Sequence, residues 1–593
     1  MEEREKVEQI QRELKTQGRK GRFGNVWKNW FEQNREITLF LLWALALLIV
    51  KLVMMRKIHI CAYATAVADD ALMVRMAENW CELHWLGGYN NYTLVKGVFF
   101  PAFLAVGHFL RIDYISWVQI FYAVSCVLFL IAFRPVLKWK WVMYVLYVIL
   151  LFHPIMAALE VISRVYRNSI TPAQVLLLLG GYVGLYFHCD EEEYCRGKRR
   201  LVYWSIMATA GFVSLYLSRE DAVWSVPFLL VASGCIVYKL CKAHKFKQAW
   251  KKNVLILLLP FLVLAGCRGT ITVINGLVYD SWTDNELGSG AFPRVMKAIY
   301  AVDMEEPADY TSVSREKVEA IYEVSPTLES IREVLDHVMD NYVQISGRVK
   351  ENKEQGNVEN GWFFWALRDA AAISGYHETA PKAAAFYNAV ADEIEAAFED
   401  GKLSKQWTMP SALMPPWKKG MLPELILTIG KAADYVVSGK QIALWDVEAV
   451  DDGNGGVERF EWISGRKAVT AQMSEEEHYT ADVWNRIAEF WRNYVGLKLA
   501  WAGRICYMAL VVLFFAKRLD KERAAALLML TGIAGALLCL YAGIAYIELR
   551  SFSAIVYMYL SGAYPAAAAF DCIAIVTVAG YATEYVKNIV GNT

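Results

Sequence analysis

Ten apolar runs punctuate the chain, at roughly 37–55, 115–133, 141–155, 171–187, 201–217, 225–240, 253–275, 498–516, 524–546 and 565–585. Each approaches the ~20 residues that an α-helix needs to cross a bilayer. The pattern therefore predicts a polytopic α-helical membrane protein. A shorter apolar stretch, Val98–Leu110, predicts a helix lying along the membrane surface. Between about 276 and 495 the runs give way to a polar segment with helical periodicity. There, Ala380–Asp400 starts with Pro381 in a first-turn position, carries Phe386, Val390, Ile394 and Phe398 on one face and stops at Gly401. Ser325–Ser346 and Trp362–Ile373 also read as helices. Ile442–Val450 and Val457–Ile463 flank Asp452-Gly453-Asn454-Gly455-Gly456 and read as the arms of a β-hairpin.

Charge orients these spans. The first 36 residues carry Arg4, Lys6, Arg12, Lys15, Arg19, Lys20, Arg22, Lys28 and Arg35 and contain no small-residue cleavage site. They read as a cytoplasmic basic arm ahead of a retained signal anchor. The clusters Arg134/Lys138/Lys140, Arg196/Lys198/Arg199/Arg200, Lys239 through Lys252 and Lys517/Arg518/Lys521/Arg523 then fall on the same side, provided that Val98–Leu110 does not cross. Residues 276–495 hold 37 acidic against 21 basic residues, so the zero net charge of the 593-residue chain hides two regions of opposite sign. Acidic loops are exported readily. The expected organisation is an arm (1–36), a transmembrane module (37–275) whose first outer loop spans 56–114, a mostly helical extracytoplasmic domain (276–495) between spans seven and eight, and C-terminal spans (496–593).

The eleven cysteines avoid residues 276–495 and form no C-x-x-C unit, which argues against a zinc or redox centre. Cys61 and Cys81 share the first outer loop and are expected as thiols more than as a disulfide. An exported domain without disulfides suits a bacterial plasma membrane. The nine histidines lack metal-ligand spacing, and no Gly-rich phosphate loop, dinucleotide fold or nucleic-acid partner is indicated.

Charged residues at the expected outer surface are the candidates for chemistry, because charge beside a bilayer is costly unless used. The first loop supplies Asp69, Asp70, Arg75, Glu78 and Lys96; the segment after His153-Pro154 supplies Glu160, Arg164, Tyr166 and Arg167. Arg219-Glu220-Asp221 ends the fifth span, and a last outer turn brings Glu548 and Arg550. Such a mixture could hold a lipid phosphate with cations while a carboxylate acts on the head group. Adjacent carboxylates also push their pKa values apart and can take different roles. Ordinary explanations exist: Asp69–Asp70 as a helix N-cap, Lys96 as a snorkelling lysine, and Arg219-Glu220-Asp221 as a self-satisfied cluster. Trp362-Phe363-Phe364-Trp365 reads as core before it reads as a sugar platform.

Asp69–Asp70 just after the first span, the helix Ala71–Trp80 and Lys96-Gly97 ahead of an apolar surface helix resemble the GT-C glycosyltransferases. Arg164-Val165-Tyr166-Arg167 and Tyr559-Leu560-Ser561-Gly562-Ala563-Tyr564-Pro565 add to the resemblance, which covers roughly 37–275 and 498–585. Those multi-span enzymes, among them protein O-mannosyltransferases and lipid A aminoarabinose transferases, use lipid-phosphate sugars. The resemblance implies a GT-C-like fold and sugar transfer from a polyprenyl-phosphate donor to an extracytoplasmic glycan or protein, within membrane lipid. It implies Asp69 or Asp70 as base and Lys96 at the donor phosphate, with Arg75, Arg164, Arg167 and Arg219 as further phosphate contacts. Glu160, Tyr166, Glu220, Asp221 and Arg550 would support them. No cofactor is required, although Asp69, Asp70 and Glu220–Asp221 could take a divalent cation. The large domain lies between spans seven and eight rather than at the C-terminus, which departs from many members. The rival readings are a flippase for lipid-linked glycans, which needs a cavity open to both sides, and a non-catalytic assembly scaffold.

Overall fold

The computed structural model describes residues 35–137, 139–189, 195–242, 250–346, 349–475, 477–478 and 481–590. Of the charges used for orientation, Arg4 through Lys28, Lys138, the lysines within 243–249 and the side chains of Arg196, Lys198, Arg199 and Arg200 lie outside what is described. All ten apolar runs are helical. Among the described residues, seven helices are long and apolar enough to cross a membrane: Arg35–Met54, Tyr114–Phe133, Glu220–Lys242, Trp250–Tyr279, Asp482–Phe515, Lys521–Arg550 and Ala563–Val590. The other three runs correspond to Lys140–Leu151, Thr171–His188 and Cys195–Tyr216. Lys140–Leu151, with 12 residues, is only about 18 Å long at 1.5 Å per residue. Thr171–His188 is buried along nearly its whole length, so protein rather than lipid surrounds it. The predicted surface helix forms over Phe99–Phe109, too short to span.

Two hydrophobic cores organise the described residues. The first joins the apolar helices to Ala432, Val436, Phe460, Ile463 and Trp484 of the polar insert. The second is built from 292–412, and it takes in Leu72, Met76, Leu94, Val95 and Val98 of the first loop. Helix Asp70–Cys81 lies between them. Ala71, Val74 and Ala77, spaced by three, enter the first core, while Leu72 and Met76 enter the second.

Within the insert, helix Ala380–Glu399 starts with Pro381 in its first turn, and Thr379 caps it by accepting from the Lys382 amide. The predicted helix over 325–346 is split into Pro326–Glu329 and Arg332–Ser346, because Ser325 and Pro326 start a separate turn. The predicted hairpin does not form. Residues Gly456–Ser464 are helical, and the extended residues around 449 and 450 pair elsewhere. Val450 N donates to Ala62 O (2.9 Å), Ala64 N to Val450 O (2.9 Å) and Ile60 N to Lys467 O (3.1 Å). Residues 60–64 thus replace the second arm. The glycine run reverses the chain into a helix instead of a turn, with Gly453 and Gly455 both at positive φ.

Arg550, at the end of Lys521–Arg550, ties that helix to the insert. Its guanidinium donates to Glu306 Oε2 (2.9 Å) and Oε1 (2.5 Å), to Ser312 Oγ (3.0 Å) and to the Pro416 carbonyl (3.1 Å). Arg550→Met should therefore cost about 3 kcal/mol, because a largely buried carboxylate loses its partner. A lower midpoint in thermal unfolding of the detergent-solubilised chain would register the loss, and an unchanged midpoint would refute it.

Candidate functional site

Four segments meet at the start of helix Asp70–Cys81. Asp69 is its N-cap residue, but its side chain makes no capping hydrogen bond, so capping does not explain the acidic pair. Asp69 Oδ1 instead accepts from Lys96 Nζ (2.9 Å) and from the Tyr166 hydroxyl (2.9 Å). Asp70 accepts from Arg164 through both oxygens, from Nε at 3.0 and 2.9 Å and from Nη2 at 2.8 Å. Arg164 Nη1 also reaches Glu160 (3.0 Å). Glu160 and Arg164 face the same way because Leu159–Ser163 is a π-turn, closed by Arg164 N on Leu159 O (3.1 Å). Such turns occur frequently at functional sites.

Lys96 reaches Asp69 because Gly97 lets the loop touch the end of helix Cys195–Tyr216. A Cβ on Gly97 would sit 2.1 Å from the Leu217 carbonyl oxygen. Phe99 N donates to that same oxygen (3.2 Å). This contact brings the loop beside Ser218–Asp221. There Arg167 donates to Ser218 O (3.0 Å) and Glu220 (2.5 Å). Arg219 pairs with both oxygens of Asp221 (2.7 Å each) and donates to Asn168 Oδ1 (2.6 Å). The Tyr166 ring is approached by two guanidiniums, Arg164 at 5.1 Å and Arg167 at 5.4 Å from its centroid.

The two acids differ sharply. The Asp70 side chain is fully buried, whereas that of Asp69 is 46% exposed. Burial pushes the Asp70 carboxyl up to about 6; Arg164 offsets part of that rise, and Asp69 and Glu160 add to it. Burial also pushes Asp69 up, but Lys96, Arg167 and the Tyr166 hydroxyl outweigh it and hold Asp69 well below the usual carboxylate range. Burial alone would lower the Lys96 ammonium; Asp69 reverses that and raises it. Both hydrogen bonds to Asp69 fall on Oδ1 and leave Oδ2 without one among the described residues.

Asp69, Asp70, Lys96, Glu160, Arg164, Tyr166, Arg167, Arg219, Glu220 and Asp221 thus come together. Arg75 and Arg550 do not. Arg75 lies 3.8 Å from Asp452, and Arg550 is held by Glu306. Each of Asp69, Asp70, Glu220 and Asp221 is paired with Lys or Arg, and among the described residues no group of three His, Cys, Asp or Glu is arranged to hold a metal. Cys61 and Cys81 are both free thiols. Sequence reasoning missed Tyr63, whose ring Arg164 approaches at 5.4 Å, and Met558, whose sulfur accepts from Arg164 (3.4 Å). It also missed the role of Trp365, whose ring lies 5.7 Å from Lys96 Nζ. The aromatic run at 362–365 was the available signal, and it read as core.

Because Asp69 is held below its ordinary value of 3.8, its pairing stabilises the fold above about pH 4 and loses effect as pH falls through the lowered value. Lys96→Met should lower the thermal midpoint at pH 7, and wild type and variant should converge as the solution is acidified below pH 4. A difference independent of pH would mean that Lys96 acts by packing alone.

Neither a protein-family model nor a curated protein matches the chain. Among solved structures it is similar to ArnT from Cupriavidus metallidurans bound to undecaprenyl phosphate, with 11% identity and a TM-score of 0.26 over 89% of this chain and 78% of that one. The apo form of the same protein gives 12% and 0.27 over 88% and 77%. Values this low bear on neither fold nor reaction.

Proposed function

We propose that this membrane protein transfers a sugar from a polyprenyl-phosphate donor to an extracytoplasmic acceptor, with Asp69 as general base. One observation carries the reading. Of two adjacent acids, one is buried and chelated by an arginine, while the other stays ionised, half exposed and in contact with a buried lysine. A structural ion pair alone would not require that asymmetry.

In the reaction, the acceptor oxygen bonds to the anomeric carbon as the bond from that carbon to the phosphate oxygen breaks. The acceptor proton passes to Asp69 Oδ2, and the departing polyprenyl phosphate keeps the electron pair. Lys96 and Arg167 are the cations beside Asp69 that would meet this growing charge, Arg167 being paired with Glu220 (2.5 Å) before the donor binds. Donors preorganised for developing charge supply much of the catalysis in water-poor sites. The same step explains how so acidic a carboxyl can serve as base. When a phosphate engages Lys96, Asp69 loses part of the positive field that depresses it, and its basicity rises. Asp70 acts differently, by fixing Arg164 beside Tyr166.

Asp69→Asn should reduce transfer per molecule of protein by ~10²–10⁴, the usual worth of a general base, a larger loss than any fall in abundance caused by leaving buried Lys96 without its carboxylate. Asp70→Asn should instead lower abundance and thermal stability, since it leaves Arg164 without its bidentate partner. The readout is the profile of surface glycans and accumulated lipid-linked sugar in a deletion strain carrying each form. Wild-type profiles with Asp69→Asn would sink the transferase reading and favour transport or scaffolding.

A further inference from the structure

We infer that helix Asn360–Ile373 of the insert is the element that positions Lys96, with Asp369 as its main grip. The role given to Lys96 rests on the transferase reading; the grip itself is a matter of geometry. Trp365, Arg368 and Asp369 are spaced i, i+3 and i+4, so they share one helix face. That face meets the loop carrying Lys96. Asp369 Oδ1 accepts from Asn91 Nδ2 (2.6 Å) and the Tyr92 hydroxyl (3.0 Å), and Oδ2 accepts from the Tyr342 hydroxyl (2.7 Å). Three donors on one carboxylate make charge-assisted bonds, the stronger kind.

Arg368 extends the hold. It is fully buried, donates to the Asn91 carbonyl (2.8 Å) and pairs with Glu286 (2.9 Å). Glu286 accepts from the Tyr89 hydroxyl (2.8 Å), and its amide donates to the Leu94 carbonyl (2.8 Å). Leu94 sits at φ +63°, a left-handed conformation that a leucine keeps only where its surroundings over-determine it. Trp365 completes the face: its ring lies 5.9 Å from Tyr92 and 5.7 Å from Lys96 Nζ. A lysine on a flexible four-carbon stem is thereby set against Asp69 by a loop fixed at Tyr89, Asn91, Tyr92 and Leu94. The insert is joined to the acidic pair through this face, and Asp369 is a positioning residue.

The test measures the reactivity of the Lys96 amine and so does not depend on turnover. Full-length protein in detergent is treated with a water-soluble acetylating reagent at a fixed pH of about 9, where an ordinary lysine is partly deprotonated. Labelling rates at individual lysines are read by mass spectrometry. Half-exposed Lys382 serves as the internal standard, and buried Lys317 reports unfolding of the insert. Asp369→Asn and Asn91→Ala should each speed Lys96 labelling about tenfold, the worth of a bond to a charged group, while Lys317 stays slow. If Asp369→Asn also frees Lys317, Asn91→Ala decides, because it leaves the Tyr92 and Tyr342 bonds in place. Lys96 rates equal to wild type in the deciding variant would overturn the inference. Failure of the transferase reading would show only in the glycan profile of Asp69→Asn.

Discussion

Charge cannot be left unpaired where water is scarce, and the region around residue 69 follows from that constraint. Removing an ion from water costs several kcal/mol even after relaxation, and four cations are buried or nearly so: Lys96, Arg164, Arg167 and Arg219. Each meets a carboxylate. Since the partners come from the loop after the first span, the π-turn segment and the end of helix Cys195–Tyr216, satisfying the charges brings three separate stretches of chain together. Gly97 is needed for the same reason, because a side chain there would push the loop off the Leu217 carbonyl and take Lys96 with it.

Within that network the consecutive acids diverge because Asp70 begins the helix whereas Asp69, its N-cap, keeps a non-helical backbone (φ −126°, ψ −100°). Asp70 turns into the protein, where Arg164 satisfies both its oxygens. Asp69 turns outward, where Lys96 and Tyr166 occupy one oxygen and leave the other open. An adjacent pair is therefore a way to place one anchored and one accessible carboxylate at one depth. The π-turn at Leu159–Ser163 does similar work for the cations, putting Glu160 and Arg164 on the same side.

The insert has two attachments of different character. Residues 292–412 share a core with the first loop, and residues around 432–488 join the core of the apolar helices. Arg550 and Glu306 bridge the same parts at the end of Lys521–Arg550. The insert thus packs on both sides of helix Asp70–Cys81, and its own helix Asn360–Ile373 supplies side chains to the surroundings of Lys96.

Much of this was legible in the sequence. Apolar length marked the ten helices, Pro381 and Gly401 bounded Ala380–Glu399, and the acids, lysine and arginines of the cluster stood out as charges close to a bilayer. These signals are local: hydrophobic run length, turn chemistry and the cost of charge act on neighbouring residues whatever the fold. Pairing between distant segments is another matter. The strand-like residues near 450 looked like a hairpin because their partner, Ile60–Ala64, lies nearly 400 residues away. Arg75 and Arg550 share residue type and apparent depth with Arg164, yet packing turns them to Asp452 and Glu306. Arg368 and Asp369 carried no signal beyond helical spacing, and Trp365 stood out only within an aromatic run that read as core. What the sequence alone determined was which apolar runs are helical and which charges must find partners; tertiary structure alone decided who those partners are, because a carboxylate is specified by charge but an ion pair by the path of the chain.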